Sequence, residues 1–279
     1  MRWVLGAGVL LALTPSAFAE DFGILRGTEP TYHWGGFYGG AQGGYSSSTI
    51  NFSQSAASEI GFILRQTTIE QDQQISQWDV LGDRSPTSGS LGGFVGYNVE
   101  WEDVILGLEL NYNRVSLSAS TGSSLTRSFT DSTGLPDGHH YFYTVTVGAE
   151  SSLHMTDIAT FRARAGWEAG NFLPYAFAGM ALGRVNISTA VSVAYSATDF
   201  VDSSTPPLVP LPDLSFGPSA LSNGQNGTIA YGFATGIGTD IALFPNVFVR
   251  GELEYIYFAP VDHIQVTVAS ARVGVGFKF

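Results

Sequence analysis

No cysteine occurs among the 279 residues, so neither disulfides nor thiolate metal sites hold this chain together. Charge is scarce as well. Asp, Glu, Lys and Arg make up 13% of the chain, whereas a soluble globular domain carries about 25%. Lys278 is the only lysine and the formal net charge is −12, which argues against nucleic acid, a ligand that recruits Lys and Arg. Long apolar runs are missing beyond the amino terminus. There Arg2, the apolar stretch 3–13 and the small-x-small triplet Ala17-Phe18-Ala19 have the layout of a signal peptide. The run is too short for a membrane helix, which needs about 20 apolar residues. The expectation is a cleaved signal over 1–19 and a single exported domain over 20–279.

What the chain has in quantity is Gly, with 34 residues, and aromatic residues, at 13%. It also has two-residue alternation. The last eight residues, Arg272-Val273-Gly274-Val275-Gly276-Phe277-Lys278-Phe279, set Val and Phe on one face against Arg, Gly and Lys on the other. Seven further segments repeat this pattern, near 37–45, 91–99, 104–112, 159–167, 173–185, 229–241 and 247–257. Each has about the 9–11 residues that a tilted strand needs to cross the hydrocarbon. In the third, Leu106, Leu108, Leu110 and Tyr112 oppose Ile105, Gly107, Glu109 and Asn111. In the fifth, Tyr175, Phe177 and Val185 read as one face and Arg184 with small residues as the other. Charges share a face with glycine rather than with solvent-type exteriors, which distinguishes a membrane barrel from a lipocalin-like or sandwich fold.

The connections separate into two kinds. Tight turns occur at 101–103, 169–171 and 244–246, and the connection at 259–263 is also short. The stretches 46–90 and 186–228, and the one between strands three and four, are long and rich in Ser, Thr, Asp and Gly. The fold class is therefore all-β: an eight-stranded antiparallel transmembrane β-barrel with long extracellular loops, short periplasmic turns and periplasmic termini. Extended segments at 141–147 and 191–195 are candidates for a sheet edge above the membrane.

The candidate site is the barrel interior. Glu109, Arg162, Arg164, Arg184, Asp240, Arg250, Glu252, Glu254 and Arg272 all read as inward, and buried charges must pair. Glu109 is expected to face Arg162 or Arg164, and Glu252 and Glu254 to serve Arg250 and Arg272. A packing network is the favoured reading, with an ion-selectivity filter as its rival. Tyr32, Trp34, Phe37, Trp101, Trp167, Phe172 and Phe244 are expected to form an interfacial girdle.

Catalytic and cofactor signatures are lacking. The pair His139-His140 beside Tyr141 reads as exposed loop histidines rather than as a metal or haem site. Acidic residues such as Glu70, Asp72, Asp131, Asp137, Asp199 and Asp202 read as a solvated surface. No EF-hand, P-loop or zinc-protease motif is present, and no local pattern sets a nucleophile beside a base. No enzyme activity, cofactor or metal is expected.

Six blocks in order carry a family resemblance. They are Trp34-Gly35-Gly36-Phe37-Tyr38-Gly39-Gly40, Gly93-Phe94-Val95-Gly96-Tyr97-Asn98, Arg162-Ala163-Arg164-Ala165-Gly166, the stretch 173–179, the stretch 231–238, and the terminal 272–279. Together they resemble the small outer-membrane β-barrel porin family common in alphaproteobacteria. The resemblance implies a barrel of the OmpA/OmpX kind in the Gram-negative outer membrane, contacting lipids and lipopolysaccharide. It also implies recognition by the barrel-assembly machinery through Val275, Phe277 and Phe279. Family members are described as surface antigens or porins, and some as haemin binders. The loops differ here, so the leading expectation is a structural or surface-interaction role. A narrow porin and a loop-based adhesin or haemin receptor are the alternatives, and the extracellular ligand or host partner is not legible.

Overall fold

The computed structural model describes residues 32–202 and 208–279. The expected signal peptide and the Pro206-Pro207 pair lie outside these residues. Eight strands follow in chain order: β1 (Gly36–Asn51), β2 (Thr87–Trp101), β3 (Val104–Asp131), β4 (His139–Trp167), β5 (Phe172–Val201), β6 (Leu214–Phe244), β7 (Val247–Phe258) and β8 (Gln265–Lys278). Each pairs antiparallel with the next, and β8 returns to β1, closing the barrel. Trp101 opposes Val104 across a two-residue turn, in which Glu102 takes a left-handed conformation. Phe244 likewise opposes Val247.

The outward face of the lower barrel is apolar because it meets lipid. Leu106, Leu108, Leu110, Phe161, Phe233, Ile237, Leu253 and Val275 are all exposed. The fifth strand corrects the sequence reading. Tyr175, Phe177 and Val185 point inward and are buried, while Ala176, Ala178, Met180, Leu182 and Arg184 face out. Small residues stand against lipid there and large rings fill the interior, so ring size misassigned the faces. Tyr32 and Trp34 are also corrected, since both are buried in the lower mouth of the barrel and not in a girdle. Phe37, Trp101, Trp167 and Phe244 do face outward.

A second correction concerns length. Strands β3 to β6 run 28, 29, 30 and 31 residues, about three times what the hydrocarbon requires. Most of what reads as long polar loop is therefore strand, and the segments 132–138 and 202–213 are the true connections. Ser- and Thr-rich alternation is strand with one wet face, which composition alone reads as loop. The stretches 141–147 and 191–195 are central, with neighbours on both sides. The edges of this upper sheet belong instead to β3 and β6.

Within these strands the faces exchange polarity. In β4 the inward series runs Arg164, Arg162, Thr160 and Ile158, then Met155, Leu153, Ala149, Val147 and Val145. A register shift between Met155 and Asp157 moves the inward positions from even to odd numbers. Above the membrane the apolar face packs on the β1–β2 connection, which holds α1 (Ala57–Leu64), α2 (Thr68–Gln73) and a 3₁₀ turn (Ile75–Gln77). Ile60, Leu64, Ile69 and Ile75 are fully buried against the sheet, with Phe52, Val145, Val147, Leu153, Phe258 and Val268 in the same cluster. Thr67 caps α2, its hydroxyl accepting the Glu70 N–H at 3.4 Å. Burying each large aliphatic chain contributes about 1.5–3 kcal/mol, so this connection folds as a plug over the barrel.

Candidate functional site

The barrel interior is filled by three layers, the lower two at membrane depth and the third above them. The lowest is aromatic: Tyr32, Trp34, Tyr38, Phe94, Tyr175, Phe177 and Phe248 cluster with Ile105 and Leu173. Glycines on neighbouring strands make room for the rings. A Cβ on Gly276 would fall within 2.1 Å of the Phe248 ring, and one on Gly236 within 2.4 Å of Phe177. The top layer is the helical plug. Between them lies the charge network.

Glu109 is its hub. One carboxylate oxygen accepts from Arg162 Nε at 3.0 Å and Nη2 at 2.5 Å. The other accepts from Arg250 Nη1 at 2.8 Å, Tyr38 OH at 2.8 Å and Arg164 Nη1 at 3.4 Å. Asp240 accepts from Arg250 Nε at 2.8 Å and Arg164 Nη2 at 2.7 Å. Glu252 takes Arg162 Nη2 at 2.6 Å, Tyr175 OH at 2.6 Å and Arg272 Nη2 at 3.3 Å. Glu254 takes Arg272 Nη1 at 2.6 Å and Arg162 Nη1 at 3.3 Å. Four arginines thus meet four carboxylates, and the cluster carries no net charge. All eight side chains are buried.

The guanidinium faces are covered as well as their edges. Arg162 stacks 4.0 Å from the Phe177 centroid, Arg164 3.9 Å from Tyr175 and Arg250 3.9 Å from Phe94. Above Glu109, Gln42 donates to Asn111 at 3.0 Å and to Asn113 at 2.8 Å. This is the arrangement a buried ion cluster needs, because desolvation is offset only when nearly every donor has an acceptor. A mobile ion would have to displace one of these partners.

Eight of the nine residues expected in the lumen are brought together. Arg184 is not. It lies on the outer face at the upper rim, paired in register with Asp157 of β4. The aromatic residues that complete the network, Tyr38, Phe94, Tyr175 and Phe177, were missing from the candidate set. Their parity relative to Gln42, Gly96 and Gly179 was the signal available. Val275, Phe277 and Phe279 project outward at the lower end, with the Phe277 and Phe279 rings 5.4 Å apart.

At the far tip, His139 belongs to β4 and is buried, not exposed on a loop. Its Nδ1 lies 2.6 Å from Asp199 Oδ2, which also accepts the Leu211 N–H at 2.7 Å. Asp199 is likewise buried, contrary to the reading as solvated surface. Burial alone would raise its carboxyl, but the Leu211 N–H, His139 and the His140 N–H hold it below the usual range. His140 is partly exposed and reaches Asp202 at 3.3 Å.

No curated protein matches the chain. Among solved structures it is similar to Neisserial surface protein A, at 14% identity and a TM-score of 0.36, covering 87% of this chain and 97% of that one. It is also similar to the amino-terminal β-barrel domain of Pseudomonas aeruginosa OprF (14% identity, TM-score 0.34, 86% and 99% covered). A third is Ail, the attachment invasion locus protein of Yersinia pestis, in complex with the heparin analogue sucrose octasulfate (14%, 0.31, 87% and 99%). The sequence profile described as "outer membrane protein beta-barrel domain" matches residues 5–279. With lipid-facing strands closed around a charged interior and a profile match across nearly its whole length, the chain belongs to the outer membrane protein beta-barrel domain family and resides in the outer membrane.

Proposed function

We propose that this protein is a non-conducting outer-membrane anchor that holds a folded extracellular sheet for interaction at the cell surface. The observation that carries this reading is the filled lumen: aromatic layer, neutral ion cluster and apolar plug follow one another along the barrel axis. Eight-stranded barrels are wide enough for side chains to fill and little more. The extracellular part is not loose loop but sheet continued from β3–β6 and packed on helices, a rigid platform of the kind a partner recognises. Its edges, 116–131 of β3 and the upper part of β6, offer backbone N–H and C=O groups to an extended partner strand.

Insertion would proceed through the barrel-assembly machinery reading Val275, Phe277 and Phe279, after cleavage of the signal at 1–19. A narrow porin for small solutes or ions is the competing function. Single-channel current across a planar bilayer separates the two, with wild type, Glu109→Ala and a form lacking the plug residues 53–85 alongside. The expected result is a silent membrane for folded wild type. Discrete steps in wild type whose ion selectivity changes in Glu109→Ala would replace this reading with a pore.

A further inference from the structure

Arg184, misassigned to the lumen by sequence, faces the outside at a telling height. Arg114 of β3, Asp157 of β4 and Arg184 of β5 stand side by side in direct register. Below this row the outward positions of the three strands are apolar: Leu110 and Tyr112, Ala159 and Phe161, Met180 and Leu182. Above it they are polar: Ser116 and Ser118, His154 and Ser152, Asn186 and Ser188. The row therefore marks the upper limit of the hydrocarbon, where outer-leaflet headgroups begin. Register shifts in all three ladders occur directly above it, after Arg114, at Asp157 and after Val185, and bulges re-aim the side chains beside them.

The acid in the row is occupied by hydroxyls. Asp157 accepts from Tyr112 OH at 2.5 Å and from Thr156 Oγ1 at 2.5 Å. Among the described residues, neither Arg114 nor Arg184 has a carboxylate within 4.0 Å. This contrasts with the lumen, where every arginine is paired. Gly227 of β6, in a left-handed conformation, lies against the Arg184 guanidinium. A surface hollow of about 710 Å³ lined by Ala41, Gly89, Leu91, Arg114 and Ser116 opens beside Arg114.

The geometry points to a seat for a phosphorylated outer-leaflet lipid headgroup, held by Arg114 and Arg184 across β4. Two strands in register at next-nearest spacing lie about 10 Å apart. Flexible arginine side chains reach inward from that distance to grip one phosphate, or outward to grip two on the same headgroup. Arginine suits phosphate because its planar fork donates two parallel hydrogen bonds. The hollow beside Arg114, with the exposed Leu91 on its wall, would take an acyl chain of the same lipid.

The test uses the full-length mature protein refolded into phosphatidylcholine nanodiscs containing diphosphoryl lipid A, with lipid retention read by native mass spectrometry. Wild type should retain the lipid, and each arginine removed in Arg114→Gln and Arg184→Gln should lower retention about fivefold. Arg127→Gln, on the upper sheet away from the row, should retain it as wild type does. Dephosphorylated lipid A should not be retained, and 0.5 M salt should strip the phosphorylated form from wild type, an arm that needs no variant. Equal retention by the folded double variant would overturn the proposal. So would displacement of the lipid by millimolar inorganic phosphate, which would make the seat a site for soluble anions.

Discussion

The lower and upper halves of β3–β6 are built from the same strands with opposite faces. At membrane depth the inside holds Glu109, Arg162 and Arg164 and the outside holds Leu108, Phe161 and Met180. Above it the inside holds Val145, Leu153 and Val191, and the outside holds Thr146, Ser152 and Glu150. A strand has no preferred apolar face of its own. Whichever face meets the less polar medium becomes apolar, and the medium changes from lipid to water along one continuous ladder. The interior follows the same rule: polar groups are tolerated inside the lower barrel because they satisfy one another.

Breaking the lower interior should have the largest effect. Glu109→Ala leaves Arg162 and Arg250 short of a buried acceptor, and losing one partner of such a cluster costs about 3–5 kcal/mol. The urea midpoint of the refolded barrel, followed by gel mobility, should fall accordingly. Leu64→Ala in the plug costs about 3 kcal/mol, but that loss is expected to appear as proteolysis of 53–85 while the barrel midpoint holds. If both variants lowered the barrel midpoint equally, the two halves would be one cooperative unit.

Exchanging outward residues tests the change of medium itself. Leu108→Arg faces hydrocarbon and should cost about 2–4 kcal/mol. Thr146→Arg, on the same outward face but above the rim, should change stability by less than about 0.5 kcal/mol. Comparable losses in denaturant titrations would place the upper sheet in the membrane.

The smallest effect concerns the tip. Asp199 has its carboxyl held below the ordinary range, burial opposing and the Leu211 N–H, His139 and His140 N–H favouring the charged form. A depressed carboxyl stabilises the fold above its ordinary value and loses that contribution as pH falls through the folded one. Hydrogen exchange at the Leu211 amide should therefore stay slow through neutral pH and accelerate only below the usual carboxylate range. Asp199→Asn should exchange faster than wild type at neutral pH, the difference closing once the wild-type carboxyl is protonated. Acceleration already near neutrality would rule out the Asp199 carboxyl as the group that controls the tip.

Much of the barrel was legible from residue alternation. Strand positions, short lower turns and eight of nine lumen charges follow from period two combined with the cost of charge in lipid. Arg184 was not, because Tyr175 and Phe177 look like lipid-facing rings when read along one strand. Their lumenal place depends on Gly236 and Gly238 of the neighbouring strand, which leave space for them. The upper sheet was illegible for a different reason. Its outward face is Ser, Thr and Gly, a composition shared with loops, and the shift at Met155–Asp157 breaks the parity that would have revealed it.

The sequence by itself determined the class of the protein: export, a barrel closed by alternating strands, and an interior that concentrates charge. These are local matters of period and composition, set by what lipid will accept. The tertiary structure alone decided that the lumen charges pair with one another, that the β1–β2 connection packs on the upper sheet and that Arg114 and Arg184 share one row at the rim. Each depends on which residues of separate strands stand opposite one another, and that is a property of register and bulges, which no single stretch of sequence contains.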